Sequence, residues 1–190
     1  MTKQELRKLY IQKRSLLTID DLEKLNHQLS DNFFNNIDLS GIKVLHVFLP
    51  ILKNKEPDTW LIINRIQENF NHIKLILPRI KGTNGELEHV LFENRNQLIQ
   101  NNWGIEEPAD GILSVPQDFD MVIVPLLAFD KHGNRVGYGK GFYDAFLSHC
   151  KNDCRKIGLS FFPPEENIDD IENHDEPLDK VITPTEVFVF

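Results

Sequence analysis

The apolar residues of this chain recur at helical and at extended spacing by turns, and the order of those periods predicts its architecture. Thr2 is a good N-cap, and Leu6, Tyr10, Leu16 and Leu17 form a partial stripe behind it, so a first helix runs to about Leu17. Thr18 followed by Asp21 resembles a capping box; Leu22, Leu25, Leu29 and Phe33 then recur every three or four residues and predict a second, scaffold helix. Asn35, Asn36, Ser40 and Gly41 mark its exit, and the run KVLHVFL at 43–49 reads as a buried strand. Asp58 or Thr59 caps a third helix through about Phe70. Residues 73–78 and 88–92 then read as strands across a turn at 82–85, and Met121 to Val124, bounded by Pro125, as a short buried strand. Helical spacing returns from Phe142 to His149, and residues 155–162, 181–184 and the terminal VFVF close the chain as strands. Alternation of this kind predicts a single α/β domain over residues 1–190, with a mainly parallel sheet, right-handed crossovers and flanking helices.

Length and composition narrow the function. A chain of 190 residues supports one substantial core, and no internal repeat, low-complexity tract or linker divides it. No apolar run approaches a membrane span, and the amino terminus is charged and amphipathic rather than a signal peptide, which points to a cytoplasmic protein without a membrane partner. Cys150 and Cys154 are too few for a disulfide framework and read as reduced and structural; with His149 and His174 they lack the spacing of a zinc site. His46, inside the first strand, reads as a hydrogen-bonded core histidine rather than a ligand. The formal net charge of −8 argues against nucleic acid as a partner. Acidic small molecules would need a local basic patch. One candidate is the first helix, where Lys3, Arg7, Lys8, Lys13 and Arg14 face a single Glu5. Its ordinary reading is a solvated face, yet Lys3 and Arg7, at i and i+4, can reach one polyanion.

The chemistry concentrates in residues 122–147, VIVPLLAFDKHGNRVGYGKGFYDAFL. Gly133, Gly137, Gly139 and Gly141 alternate there with Lys131, Arg135 and Lys140, ahead of a predicted helix. Glycines so placed let backbone N–H groups turn toward an anion, and a following helix adds the positive end of its dipole, which is the build of a phosphate cradle. Ordinary turns also use such glycines. Arg135 and Lys140 inside the loop, and Asp144 on the first turn of the helix where a carboxylate can hold magnesium beside a phosphate, favour the cradle. The spacing is neither the standard nucleoside-triphosphatase loop nor the dinucleotide fingerprint. Elsewhere, Glu56 lies past the end of a strand and ahead of a helix, where open α/β sheets bind ligands, or else is a first-turn acid favoured by the helix dipole. Trp103, beside Gly104 in a loop, staples that loop to the core or forms a plate for a flat heterocycle.

The segment AFDKHGNRVGYGKGFYDAFL resembles the signature of the 5-formyltetrahydrofolate cyclo-ligase, or 5,10-methenyltetrahydrofolate synthetase, family. Four more stretches agree in order along the chain: KQELR at 3–7, EPDT at 56–59, WGIEEP at 103–108 and LDKVITP at 178–184. The resemblance implies an α/β, single-domain, three-layer fold of the NagB/RpiA/CoA-transferase-like kind, and a monomeric enzyme. It implies ATP binding by Lys3, Gln4, Glu5, Leu6 and Arg7, and by Arg135, Val136, Gly137, Tyr138, Gly139, Lys140, Gly141, Phe142 and Tyr143. It implies folate binding by Leu49, Glu56, Trp103, Tyr138 and Phe142, magnesium on Asp144 and Asp179, and catalytic roles for Lys140 and Arg135. Members of the family often carry arginine where this chain has Tyr138, and glycine or lysine where it has Lys140.

The implied reaction is ATP- and magnesium-dependent closure of 5-formyltetrahydrofolate to 5,10-methenyltetrahydrofolate, with ADP and phosphate released. The N5-formyl group is an amide, so its oxygen leaves poorly; phosphorylating that oxygen lets N10 of the same substrate attack the carbon. Both reacting centres belong to substrates, which leaves positioning and charge stabilisation to the protein. No Ser/His/Asp or Cys/His constellation suggests a side-chain nucleophile. The alternative is a non-catalytic sensor module binding a phosphorylated metabolite on a related α/β fold.

Overall fold

The computed structural model describes residues 1–81, 86–101 and 104–190. Two helices open the chain, α1 (Lys3–Ser15) and α2 (Ile19–Asn36), and each is started by a capping box, Thr2 with Glu5 and Thr18 with Asp21. Strand β1 (Val44–Val47) leads through a loop to α3 (Trp60–Asn69) and back to β2 (Lys74–Lys81). Thr59 stands at the N-cap of α3 but makes no cap bond, because its hydroxyl donates to the Phe48 carbonyl at 2.6 Å and pins the helix start to the end of β1. Next come β3 (Glu86–Leu91), the small hairpin of β4 (Leu98–Gln100) and β5 (Glu106–Pro108), and a two-residue edge strand β6 (Leu113–Ser114). Strand β7 (Met121–Val124) is followed by a second small hairpin, β8 (Ala128–Phe129) and β9 (Arg135–Val136), and then by α4 (Phe142–Leu147). The chain ends in β10 (Arg155–Leu159), β11 (Lys180–Ile182) and β12 (Val187–Val189).

Eight of these strands form one sheet in the order β12-β11-β10-β7-β1-β2-β3-β6. The five from β11 to β2 pair in parallel, and the outer strands pair antiparallel. Both faces are covered, as a parallel sheet requires. On one side Leu29 and Phe33 of α2 and Ile62, Ile63 and Ile66 of α3 pack on Leu45, Val47, Met121 and Ile123. On the other, Phe146 and Leu147 of α4 pack on Val122, Val124 and Val181. These are the three layers expected of the chain. A smaller cluster seats α1 on the β8–β9 hairpin through Leu6, Tyr10, Leu127, Ala128 and Val136.

Two expectations change. Helix α4 is six residues long and ends at Leu147, not His149. His46 is fully buried but, among the described residues, makes no hydrogen bond through either ring nitrogen; it packs against His89, Phe119 and Phe146. Burial, helped by the neighbouring His89, holds it well below the usual histidine range and so neutral. Cys150 and Cys154 are both free thiols. Among the described residues no helix is long and apolar enough to cross a membrane.

Candidate active site at the strand-order switch

The crossover from β1 runs outward to β2, and the connection from β7 runs the opposite way to β10, so the strand order reverses between β1 and β7. Loops leaving the carboxyl ends of two such strands diverge and leave a crevice between them, the usual ligand site of an open α/β sheet. Here the crevice is a cavity of about 1160 Å³. Its floor is Phe48 and Leu49 after β1 and Pro125 after β7, and its walls come from α1, the glycine loop, the β2–β3 hairpin, β5 and the segment 170–175.

One half of the cavity is polar. Gly139 (φ +85°) and Gly141 (φ +70°) are left-handed, so the loop needs glycine at both. A Cβ at Gly139 would also lie 3.1 Å from the guanidinium carbon of Arg7, whose Nε donates to the Gly137 carbonyl at 2.9 Å. Arg135 is nearly buried; it donates to Asp144 Oδ1 at 2.6 Å and to the Glu176 carbonyl. Lys140 is exposed at the rim. Because α4 is so short, the positive charge of this half comes from Arg7, Arg135 and Lys140 rather than from a long helix dipole. Opposite them runs an acidic segment tied to the start of α1. Asp170 accepts from the Lys3 backbone at 2.6 Å, Asp175 from the Lys3 ammonium at 2.5 Å, and Asp169 pairs with the terminal amine at 2.8 Å. Burial works against ionisation of Asp175, but the Lys3 ammonium and the Glu172 N–H hold its carboxyl below the usual range. Beneath the loop, the fully buried Asp130 accepts from the N–H groups of His132, Asn134 and Ile168 and from the Asn134 amide.

The other half is mostly apolar, lined by Leu49, Ile51, Pro78, Ile80, Leu87 and Ile105. Its buried acid is Glu56, 6% exposed, whose Oε2 accepts from the Ile51 N–H at 2.7 Å. Burial raises the Glu56 pKa, opposed by the Ile51 N–H, the Tyr138 hydroxyl and the charge of Arg14. Tyr143 lies between the halves. Its hydroxyl is buried without a hydrogen-bond partner among the described residues, and burial, with the charge of Glu56, pushes its pKa far up.

Of the residues expected at the site, Lys3, Gln4, Arg7, Leu49, Glu56, Arg135, Gly137, Tyr138, Gly139, Lys140, Gly141, Phe142, Tyr143 and Asp144 line this one cavity. Four do not. Glu5 faces outward in the α1 capping box, Leu6 faces inward to the core, and Val136, alternating with Arg135 along β9, packs beneath α1. Asp179 precedes β11, at the end of the sheet away from the crevice, and accepts from the Lys156 N–H at 2.6 Å. The carboxylates from this region that do line the cavity are Asp170, Glu172 and Asp175, and one ligand atom each from Glu172, His174 and Asp175 lie within 4.8 Å of one another. Trp103 lies outside the described residues. Asp144 and Asp175 line the same cavity and offer oxygen donors of the kind a hard divalent cation such as magnesium takes. In the sequence Asp175 reads as one of several solvated acids of the tail and Asp130 has no role, although Asp130, three residues ahead of Gly133, carries the signal of an Asx turn.

Comparison with known proteins gives the following. Residues 1–184 match the model of the 5-formyltetrahydrofolate cyclo-ligase family. A 5-formyltetrahydrofolate cyclo-ligase of Mycoplasma genitalium is 33% identical over 164 residues, 84% of each chain. A probable 5-formyltetrahydrofolate cyclo-ligase of Schizosaccharomyces pombe is 29% identical over 128 residues, which are 60% of this chain and 62% of that protein. The solution structure of Aquifex aeolicus 5,10-methenyltetrahydrofolate synthetase superposes with a TM-score of 0.84 at 29% identity, covering 100% of this chain and 93% of that one.

Proposed function

The chain belongs to the 5-formyltetrahydrofolate cyclo-ligase family, and from that premise we propose that it converts 5-formyltetrahydrofolate and ATP to 5,10-methenyltetrahydrofolate, ADP and phosphate. The observation that carries the reading is a single cavity with one basic, glycine-rich half and one apolar half holding a buried acid. A triphosphate suits the first and a flat heterocycle with N–H donors the second, so the γ-phosphate and the formyl oxygen meet between them.

Arg7, Arg135, Lys140 and the N–H groups of the loop hold the phosphates and the charge that develops during transfer. Arg135 is already aimed, through its bonds to Asp144 and Glu176. Glu56 accepts from the heterocycle while Leu49 and Phe142 pack against it, which sets N10 beside the formyl carbon whose oxygen has been phosphorylated; closure of the ring then expels phosphate and the N10 proton. Magnesium held by Asp144 and Asp175 would supply charge neutralisation on the phosphate oxygens. Asp175 is paired with Lys3, so a cation held there would free the Lys3 ammonium for the polyphosphate.

The test is the near-ultraviolet absorbance of methenyltetrahydrofolate when protein, 5-formyltetrahydrofolate, magnesium and ATP are mixed, with each left out in turn. The reading predicts a rise that requires all four. A rise without ATP, or none from folded protein that binds ATP, would contradict it.

A further inference from the structure

Resting on the proposed function, we infer that Arg14 is a positioning residue of the folate half, acting through Tyr138 on Glu56. Arg14 follows Arg7 by seven residues and shares its face of α1, but it lies beneath the glycine loop rather than in the cavity. It is 2% exposed. Burying a guanidinium costs several kcal/mol unless its charge and donors are used, yet among the described residues Arg14 donates to no carboxylate. Nη2 donates to the Leu126 carbonyl at 2.5 Å, just past the end of β7; Nη1 donates to the Tyr138 hydroxyl at 3.2 Å; Nε has no partner.

Tyr138 needs such an anchor. Gly137 has open space where a Cβ would stand and Gly139 is left-handed, so the backbone on either side of Tyr138 restrains it little. Its hydroxyl accepts from Arg14 at 3.2 Å and lies beside the buried Glu56, whose charge adds to burial in raising the pKa of the phenol. One guanidinium therefore ties the Leu126 carbonyl, just past β7, to the phenol of the glycine loop, and so sets where that phenol stands beside the carboxylate that follows β1. With the Ile51 N–H on its Oε2 at 2.7 Å, Glu56 keeps one orientation, with capacity left to accept from a ligand.

Turnover of Arg14→Gln, Arg14→Lys, Tyr138→Phe and the Arg14→Gln/Tyr138→Phe double variant measures this, with KM for each substrate and a thermal melt alongside. Arg14→Gln and Tyr138→Phe each raise the folate KM about tenfold and move the ATP KM less than about threefold. The double variant is no worse than the poorer single one, because both cut the same link. Arg14→Lys, which keeps the charge and one donor, falls between wild type and Arg14→Gln. Should Arg14→Gln not fold, Tyr138→Phe alone decides, since it removes one hydroxyl and little packing; a wild-type folate KM in that variant would overturn the inference. Multiplying losses in the double variant, or an ATP KM that rises as much as the folate KM, would overturn it as well. If the wild-type protein turns over no 5-formyltetrahydrofolate, the proposed function fails and this inference with it, whereas wild-type turnover with unaffected variants sinks the inference alone.

Discussion

The two halves of the cavity are built by opposite means. The phosphate half is assembled from charges already in bonds: Arg135 on Asp144, Lys3 on Asp175, Arg7 on the Gly137 carbonyl, with the buried Asp130 bracing the turn at 132–134. The folate half is core packing left open at one end, with Leu49, Ile51, Ile80 and Leu87 around Glu56. Preformed ion pairs fix geometry but must exchange partners when a polyanion arrives. A hollow of apolar walls needs only to be filled, and its selectivity rests on how one acid is held.

The division predicts which substitutions strike which half. The largest effect falls on the foundation of the phosphate half: Asp130→Ala leaves three backbone N–H groups, that of Ile168 buried and those of His132 and Asn134 partly so, without their acceptor and lowers unfolding free energy by about 3–5 kcal/mol in a denaturant titration. A loss below about 1 kcal/mol would show that the loop does not rest on it. Lys140→Ala reduces turnover about a hundredfold, roughly 3 kcal/mol of transition-state stabilisation, and raises the ATP KM with the folate KM nearly unchanged. A wild-type rate would remove Lys140 from its role. Glu56→Gln does the reverse: by losing a charged acceptor worth about 2 kcal/mol it raises the folate KM roughly thirtyfold and leaves the ATP KM within about twofold. Equal shifts in both constants would erase the boundary between the halves.

Smaller effects sharpen the same boundary. Beneath the folate half, burial holds His89 down to about 4 and His46 well below 6.5, so both stay neutral while the unfolded chain takes up protons. Stability is then flat above pH 6.5 and falls as the pH drops toward 4, by about 1.4 kcal/mol per unit for each histidine. His89→Leu halves that slope in melts taken across the range; an unchanged slope would mean that other groups dominate. In the phosphate half, Gly139→Ala forces a left-handed alanine against Arg7, costs about 1 kcal/mol and raises the ATP KM a few-fold.

This contrast also explains what the sequence disclosed. Glycine and charge keep their meaning along a chain, so the loop, Arg7, Arg135, Lys140 and Asp144 were legible from pattern, as were both capped helices and the parallel strands, though of the strands only Met121–Val124 agrees at both ends. The apolar wall was not. Ile80 and Leu87 fall just outside the strands predicted at 73–78 and 88–92 and Ile105 lies in a loop, so nothing in the pattern joins them until β2 and β3 extend over the crevice. Arg14 was hidden differently: in a basic helix the common reading is a solvated face, and only packing shows that the cation seven residues past Arg7 is buried. The choice between Asp175 and Asp179 could not be made from composition either, because what separates them is that β11 starts after Asp179, at the end of the sheet away from the crevice.

The central claim is that the γ-phosphate of ATP and the formyl oxygen meet in one cavity, and oxygen labelling tests it most directly. With 5-formyltetrahydrofolate carrying ¹⁸O in the formyl group, a single turnover with ATP should release phosphate bearing one ¹⁸O atom. Label leaving as water, with unlabelled phosphate, would show that the ring closes without phosphoryl transfer to that oxygen, and would contradict the account.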